Sequence, residues 1–185
     1  MATSRARFSI DIVGEQILST AIQGGVIPAR FVESLDMASG TSDGQIDLVW
    51  GKVESSIAAS NTTQYDLSGS LANIYGEAVV FAEVVLIAIK NTRTTALANI
   101  SIGPHSSAGF GILTSGKGFW NAAQGSGGGS VVGPSSSAGP GSWYVVHDYT
   151  GVPVTATTAD ILSVVTSAVS GSTNGWQILI MGRSA

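Results

Sequence analysis

Between residues 45 and 50 the chain alternates, with Ile46, Leu48 and Trp50 on one side and Gln45, Asp47 and Val49 on the other. A period of two marks a half-buried β-strand. Residues 79–89 break that alternation by being apolar at both parities and rich in Val and Ile, so they are expected as a central strand covered on both faces. Asn91-Thr92-Arg93-Thr94-Thr95 closes this strand with turn-prone side chains, and a shorter strand is predicted over 97–102, ended by Gly103-Pro104. Further strands are predicted over 143–146, 152–156, 161–166 and 176–181. Asp148-Tyr149-Thr150-Gly151 and Ser170-Gly171-Ser172-Thr173-Asn174-Gly175 supply turn chemistry between them. Short strands at close spacing, with no amphipathic helix between them, argue for an antiparallel sandwich or jelly roll over βαβ units.

Two stretches depart from this pattern. Residues 14–25 place Ile17, Leu18, Ala21 and Ile22 at helical spacing ahead of Gly24-Gly25, a C-cap signal, and predict a short helix. Residues 103–142 are dominated by Gly, Ser and Ala, and read as a long loop interrupted by one or two short strands.

Composition narrows the classes. The 185 residues are 44% hydrophobic and 11% charged, which fits one domain with a packed core and excludes bulk disorder. Twelve acidic against eight basic side chains, a net charge of −4, give no uniformly basic field, so nucleic acid is not expected as a partner. With no cysteine there is no disulfide, thiolate metal site or thiol nucleophile. So few charges leave Ser, Thr, Gly and Asn to cover the surface, which points to assembly with other protein. Asp11 and Glu15 interrupt any secretory apolar region after Arg5 and Arg7. The longest apolar run, 78–89, contains Glu83 and would be only about 18 Å long as a helix, so no membrane span is expected. Asn61-Thr62-Thr63 and Asn99-Ile100-Ser101 match the glycosylation triplet but read as strand-edge polar residues.

No catalytic constellation emerges. Gly40-Thr41-Ser42-Asp43-Gly44 spells the nucleophile elbow, yet a strand follows it where that motif needs a helix. His147 and Asp148 adjoin, and neighbouring strand residues point to opposite faces, so they do not form a triad with Ser42. Gly111-Ile112-Leu113-Thr114-Ser115-Gly116-Lys117 resembles a phosphate loop but continues with Gly118 in place of the magnesium-binding hydroxyl. His105 and His147 stand apart, with no metal-ligand series and no reason to pair any two carboxylates. No cofactor, metal or enzymatic activity is expected. Among the tryptophans, Trp50, Trp143 and Trp176 fall on strands and read as core or interface, while Trp120 lies in the long loop. Glu83 is read as a partner-facing charge, or as a junction residue paired with Lys90 or an arginine.

Residues 65–92, running Tyr65-Asp66-Leu67-Ser68-Gly69-Ser70-Leu71-Ala72-Asn73-Ile74-Tyr75-Gly76-Glu77 into the apolar strand, resemble a recurring pattern in small virion proteins of tailed bacteriophages. The carboxy-terminal half does too, through Gly139-Pro140-Gly141-Ser142-Trp143, Thr150-Gly151, Ala159-Asp160-Ile161-Leu162 and the closing Ile178-Leu179-Ile180-Met181-Gly182-Arg183. The likeness spans roughly residues 35–185 and its motifs are structural. It implies an all-β chain: an antiparallel β-sandwich of jelly-roll type over 36–185, preceded by a short N-terminal arm or helix over 1–35. It also implies a decoration or cement protein on the exterior of an icosahedral capsid, made in the bacterial host cytoplasm. Such a protein is a homotrimer whose partner is the major capsid protein. A similar fold serves in tail and fibre modules, where the long loop with Trp120, Trp143 and Tyr144 would bind a receptor or glycan. The arm around residues 10–30 carries apolar surface that needs a partner. Ile10, Ile12, Ile17, Leu18 and Ile22, with Glu83 and Trp120, are therefore the expected shell or subunit interface.

Overall fold

A computed structural model describes residues 6–18, 25–93, 99–111, 119, 130–132, 142–166 and 174–185. Among them there is no helix. The strands are β1 (Ala6–Leu18), β2 (Gly25–Ser39), β3 (Gln45–Ile46), β4 (Leu48–Ile57), β5 (Thr62–Asp66), β6 (Leu71–Ala72), β7 (Ala78–Val79), β8 (Glu83–Asn91), β9 (Ile100–Pro104), β10 (Ser130–Val132), β11 (Trp143–Pro153), β12 (Ile161–Thr166) and β13 (Asn174–Arg183). Two four-stranded sheets carry the body, in the orders β11-β8-β13-β4 and β10-β9-β12-β5. Every pairing within both is antiparallel. β1 and β2 form a hairpin joined to β3 by a short parallel pairing, and β6 and β7 form a small ribbon.

One buried cluster draws on both four-stranded sheets: Ile87, Ile89, Ile178 and Ile180 from the first, Ile100, Ile102, Leu162 and Val164 from the second. Full burial of each such side chain contributes roughly 1.5–3 kcal/mol, so this layer is the main stabilising term. A polar bridge crosses it, where Trp176 Nε1 donates to the Tyr65 hydroxyl at 2.9 Å and Trp50 meets the Tyr65 ring edge-on at 5.4 Å. Burial pushes the Tyr65 hydroxyl well above its ordinary value; the Trp176 bond opposes that rise and the Glu54 charge adds to it.

The central strand predicted over 79–89 is β8, shifted to 83–91, and both its faces are covered. Val84, Ile87 and Ile89 enter the main core, while Val85, Leu86 and Ala88 form a second cluster with Met37, Ile46 and Met181. The register shift between Met181 and Gly182 opposite Val85 is a β-bulge, which lets Val85 and Leu86 share a side. The strand predicted over 161–166 is β12 with those bounds.

Three local expectations are corrected. The helix predicted over 14–25 is strand at 14–18 and at Gly25, with 19–24 outside the described residues. Antiparallel pairing with β2 runs the whole length of β1, and β-branched Ile10, Ile12, Val13 and Ile17 suit a pleat better than a helix. The strands predicted over 143–146 and 152–156 are one strand, β11. Its presumed turn at 148–151 is a bulge, because β11 stays paired to β8 on both sides of it. Ile46 leaves the face of Leu48 and Trp50 for the second cluster, since the strand breaks at Asp47. There the backbone N–H of Asp47 donates to Gly182, and its carboxylate accepts from the Ser184 N–H at 2.8 Å and from the Ser184 hydroxyl.

Candidate interaction surface

The N-terminal hairpin is amphipathic by register. Ala6 faces Met37, Phe8 faces Leu35, Ile10 faces Glu33 and Ile12 faces Phe31, so alternation gathers these positions, with Leu18 and Ile27, on one mostly apolar face. Arg7, Ser9, Asp11 and Glu15 share the other face with Asp36, Ser34 and Arg30, and also with Val13, Ile17, Val26, Pro28 and Val32, so this face is polar chiefly toward the hairpin's base. Arg7 Nε lies 3.4 Å from Asp36 Oδ1 there, a solvent-screened pair. The expected interface residues are thereby divided: Ile10, Ile12 and Leu18 fall on the apolar face and Ile17 on the opposite one, while Ile22 lies outside the described residues. The missed signal was Phe8, Ile10 and Ile12 alternating with Arg7, Ser9 and Asp11.

The base of the hairpin is tied to the body by Arg183, which is 2% exposed. Its Nη1 reaches Asp43 Oδ1 at 3.1 Å and Glu83 Oε2 at 3.2 Å, and its Nη2 donates to the Tyr149 carbonyl at 3.4 Å. Glu83 opens β8 and its cation is this arginine; Lys90 instead places Nζ 5.0 Å from the centroid of the Trp143 ring. The β11 bulge supplies the Tyr149 carbonyl. Asp148 Oδ1 accepts from the Thr150 N–H at 2.9 Å and from its hydroxyl at 2.8 Å, and Gly151 takes φ +75° where a Cβ would stand 2.6 Å from Arg183 Nη2. Asp43 belongs to the turn that joins β2 to β3, so one guanidinium holds that turn, β8 and the bulge together.

Registers Leu48 to Gly182, Glu83 to Arg183 and Asp66 to Ile161 place this clamp, the hairpin base and residues 67–82 at one end of the two sheets. In the last segment Asn73 organises a tight loop. Its Oδ1 accepts from the N–H groups of Tyr75 and Glu77 at 2.9 and 3.0 Å, and its Nδ2 donates to Glu77 at 2.8 Å. The loop holds Ile74 and Tyr75 89% and 81% exposed on an ordered backbone.

The outer face of the sheet β11-β8-β13-β4 is a second apolar surface. Register builds it in rows: Val49, Met181, Leu86 and His147; then Gly51, Leu179, Ala88 and Val145; then Val53, Gln177, Lys90 and Trp143. Met37, Ile46 and Leu35 cover the upper rows. The lowest row is open, with Val53 65% and Trp143 63% exposed. His147 has its pKa lowered by desolvation, partly opposed by Asp148.

The other predicted sites fall elsewhere. Ser42 sits in the β2–β3 turn, its N–H donating to Gln45 Oε1 at 3.2 Å. His105 is held at Nε2 by Gln64 and at Nδ1 by Ser107, each at 3.0 Å. Residues 112–118, with most of the phosphate-loop sequence, and Trp120 lie outside the described residues. Among the described residues no three His, Asp or Glu side chains gather as metal ligands, and no helix is long and apolar enough to cross a membrane. No known protein family matches this chain, and neither a curated protein nor a solved structure does.

Proposed function

We propose that this chain is a bacteriophage capsid decoration protein, a jelly-roll β-sandwich that binds the outer surface of an icosahedral shell as a homotrimer and stabilises it. The jelly-roll reading is supported by strand order. Numbering β4, β5, β8, β9, β10, β11, β12 and β13 from one to eight gives sheets 1-8-3-6 and 2-7-4-5, the order of a double Greek key. The observation that carries the functional reading is the N-terminal hairpin, tied to the body at its base by Arg183, whose register gathers positions 8, 10 and 12 with Leu35 and Met37 on one side of the ladder. A contiguous run of apolar positions of that kind is what an interaction surface is built from, and a symmetric assembly would use one. Its partners in this reading are the major capsid protein and further copies of itself, at the capsid exterior.

A second reading, a tail or fibre module for a receptor or glycan, is favoured by the exposed Trp143 ring under Lys90. Copy number separates the two. Quantitative mass spectrometry of purified particles is expected to return a ratio to the shell protein near one. A ring-sized number of copies would support the tail reading, and absence from particles would refute both.

A further inference from the structure

The two four-stranded sheets end in four edge strands, and these are not alike. β5 and β10 are five and three residues long, and β11 is interrupted by its bulge after His147. β4 pairs with β13 alone, without a break in register from Leu48 to Glu54. Among the described residues no backbone hydrogen bond ties residues 48–57 to any segment other than β13. Gly51, Lys52, Val53, Ser55 and Ser56 are exposed, which leaves the outward N–H and C=O groups of this edge open to solvent. An open edge of this length is a template for another strand.

The charges on the edge fit a second β4. Lys52 and Glu54 lie on one face of the strand, with Nζ 2.7 Å from Oε1. In an antiparallel ladder facing residues both turn their backbone groups toward each other, so a two-fold axis between two copies of β4 must pass through a residue position. An axis through Lys52 sets lysine against lysine, and one through Glu54 sets glutamate against glutamate. Like charges directly opposite one another are destabilising. An axis through Val53 sets each Lys52 against the second copy's Glu54, and each Gly51 against the second copy's Ser55. Ser56, at φ 60°, leaves the extended conformation just beyond that span.

We propose that β4 pairs antiparallel with the β4 edge of a second copy, about a two-fold axis through Val53, and joins two four-stranded sheets into one continuous sheet. Backbone hydrogen bonds supply the attraction, and the two Lys52–Glu54 pairs fix the register. The pairing rests on neither the capsid reading nor the homotrimer reading above; in an assembly of trimers it joins one trimer to the next.

The chain contains no cysteine, so full-length Val53→Cys reports this one contact. Oxidation is expected to give a disulfide-linked dimer on non-reducing gels, whatever other contacts the protein makes. Val49→Cys, exposed on the same face of β4 but opposite Ile57 in this register, should stay at the monomer position. Lys52→Glu in the Val53→Cys background sets carboxylates against carboxylates. The dimer band should be lost there with an unchanged far-ultraviolet spectrum, because the Lys52 side chain is 53% exposed. Monomer alone from Val53→Cys, equal cross-linking at Val49→Cys, or a folded Lys52→Glu variant that keeps the dimer overturns the pairing. Absence of the chain from purified particles, with these results intact, would refute the capsid reading and leave the pairing standing.

Discussion

Tyr65→Phe isolates the polar bridge in the core. The substitution removes one hydroxyl and keeps the ring, so the edge-on contact with Trp50 and the apolar burial of a side chain only 3% exposed stay nearly constant. What changes is the partner of Trp176 Nε1, a fully buried donor bonded to that hydroxyl at 2.9 Å. Leaving a buried donor unsatisfied costs about 1–3 kcal/mol. For a domain of this size each kcal/mol moves Tm by about 2–4 °C, so calorimetry should record a loss of about 2–12 °C. An alkaline limb accompanies it. The unfolded chain releases the phenol proton near pH 10, while burial keeps the folded Tyr65 protonated beyond that point. Above pH 10 the folded state therefore binds more protons than the unfolded state, and stability falls as pH rises. The component from Tyr65 should vanish in the variant. A Tm change under one degree, with an unchanged alkaline limb, would show that the bridge contributes nothing and that the packing around it decides the core.

Three further outcomes are expected. Arg183→Met should cost about 2 kcal/mol in urea denaturation: breaking a buried ion pair costs about 3–5 kcal/mol, less here because Asp43 is largely exposed and Glu83 partly so. His147 carries a lowered pKa, so the unfolded chain binds its proton first. Stability should decline as pH drops below about 6.5, and His147→Gln should flatten that decline in urea midpoints taken from pH 7 to 5. Thr157 is a β-branched residue at φ 68°, in a turn where its N–H donates to Asp160 Oδ2 at 2.7 Å. Thr157→Gly should relieve about 1–2 kcal/mol of left-handed strain, less about 0.5–1 kcal/mol of added chain entropy, and raise Tm slightly.

How far the fold was legible depended on whether a segment's neighbours are near in sequence or chemically generic. β12 and the two-sided burial of β8 were readable because apolar runs need cover whatever supplies it. The N-terminal hairpin was misread because Ile17, Leu18, Ala21 and Ile22 fit a helix when taken alone; Ile17 and Leu18 pair with Val26 and Gly25, and cross-strand register leaves no mark within one strand. The turn chemistry of Asp148 to Gly151 was real, yet in β11 it shapes a bulge, an outcome set by β8 holding both flanks. Ile46 changed faces because Ser184, 137 residues beyond Asp47, captures the carboxylate at the break. At the interaction surface, the apolar character of Ile10 and Ile12 was legible from sequence. The Arg183 clamp was not, since it depends on distances between groups that only the closed sheets bring together; the Asn73 loop is local to residues 73–77, and its side-chain bonds are set by a backbone shape the residue types alone do not fix.

β13 lies between β8 and β4 in the interior of its sheet, and it is synthesised after every other strand of the two sheets. Until it emerges, β8 and β4 present unpaired edges to one another with a gap one strand wide, and Arg183 is not yet there to hold the turn beneath the hairpin. A chain interrupted before Asn174 would thus have neither a closed sheet nor a fixed hairpin base, and its open edges would mark it for aggregation or proteolysis. The order of the strands delays the finished shape until the last strand is made, so a partly made chain has neither the closed sheet nor the clamp that fixes the hairpin base.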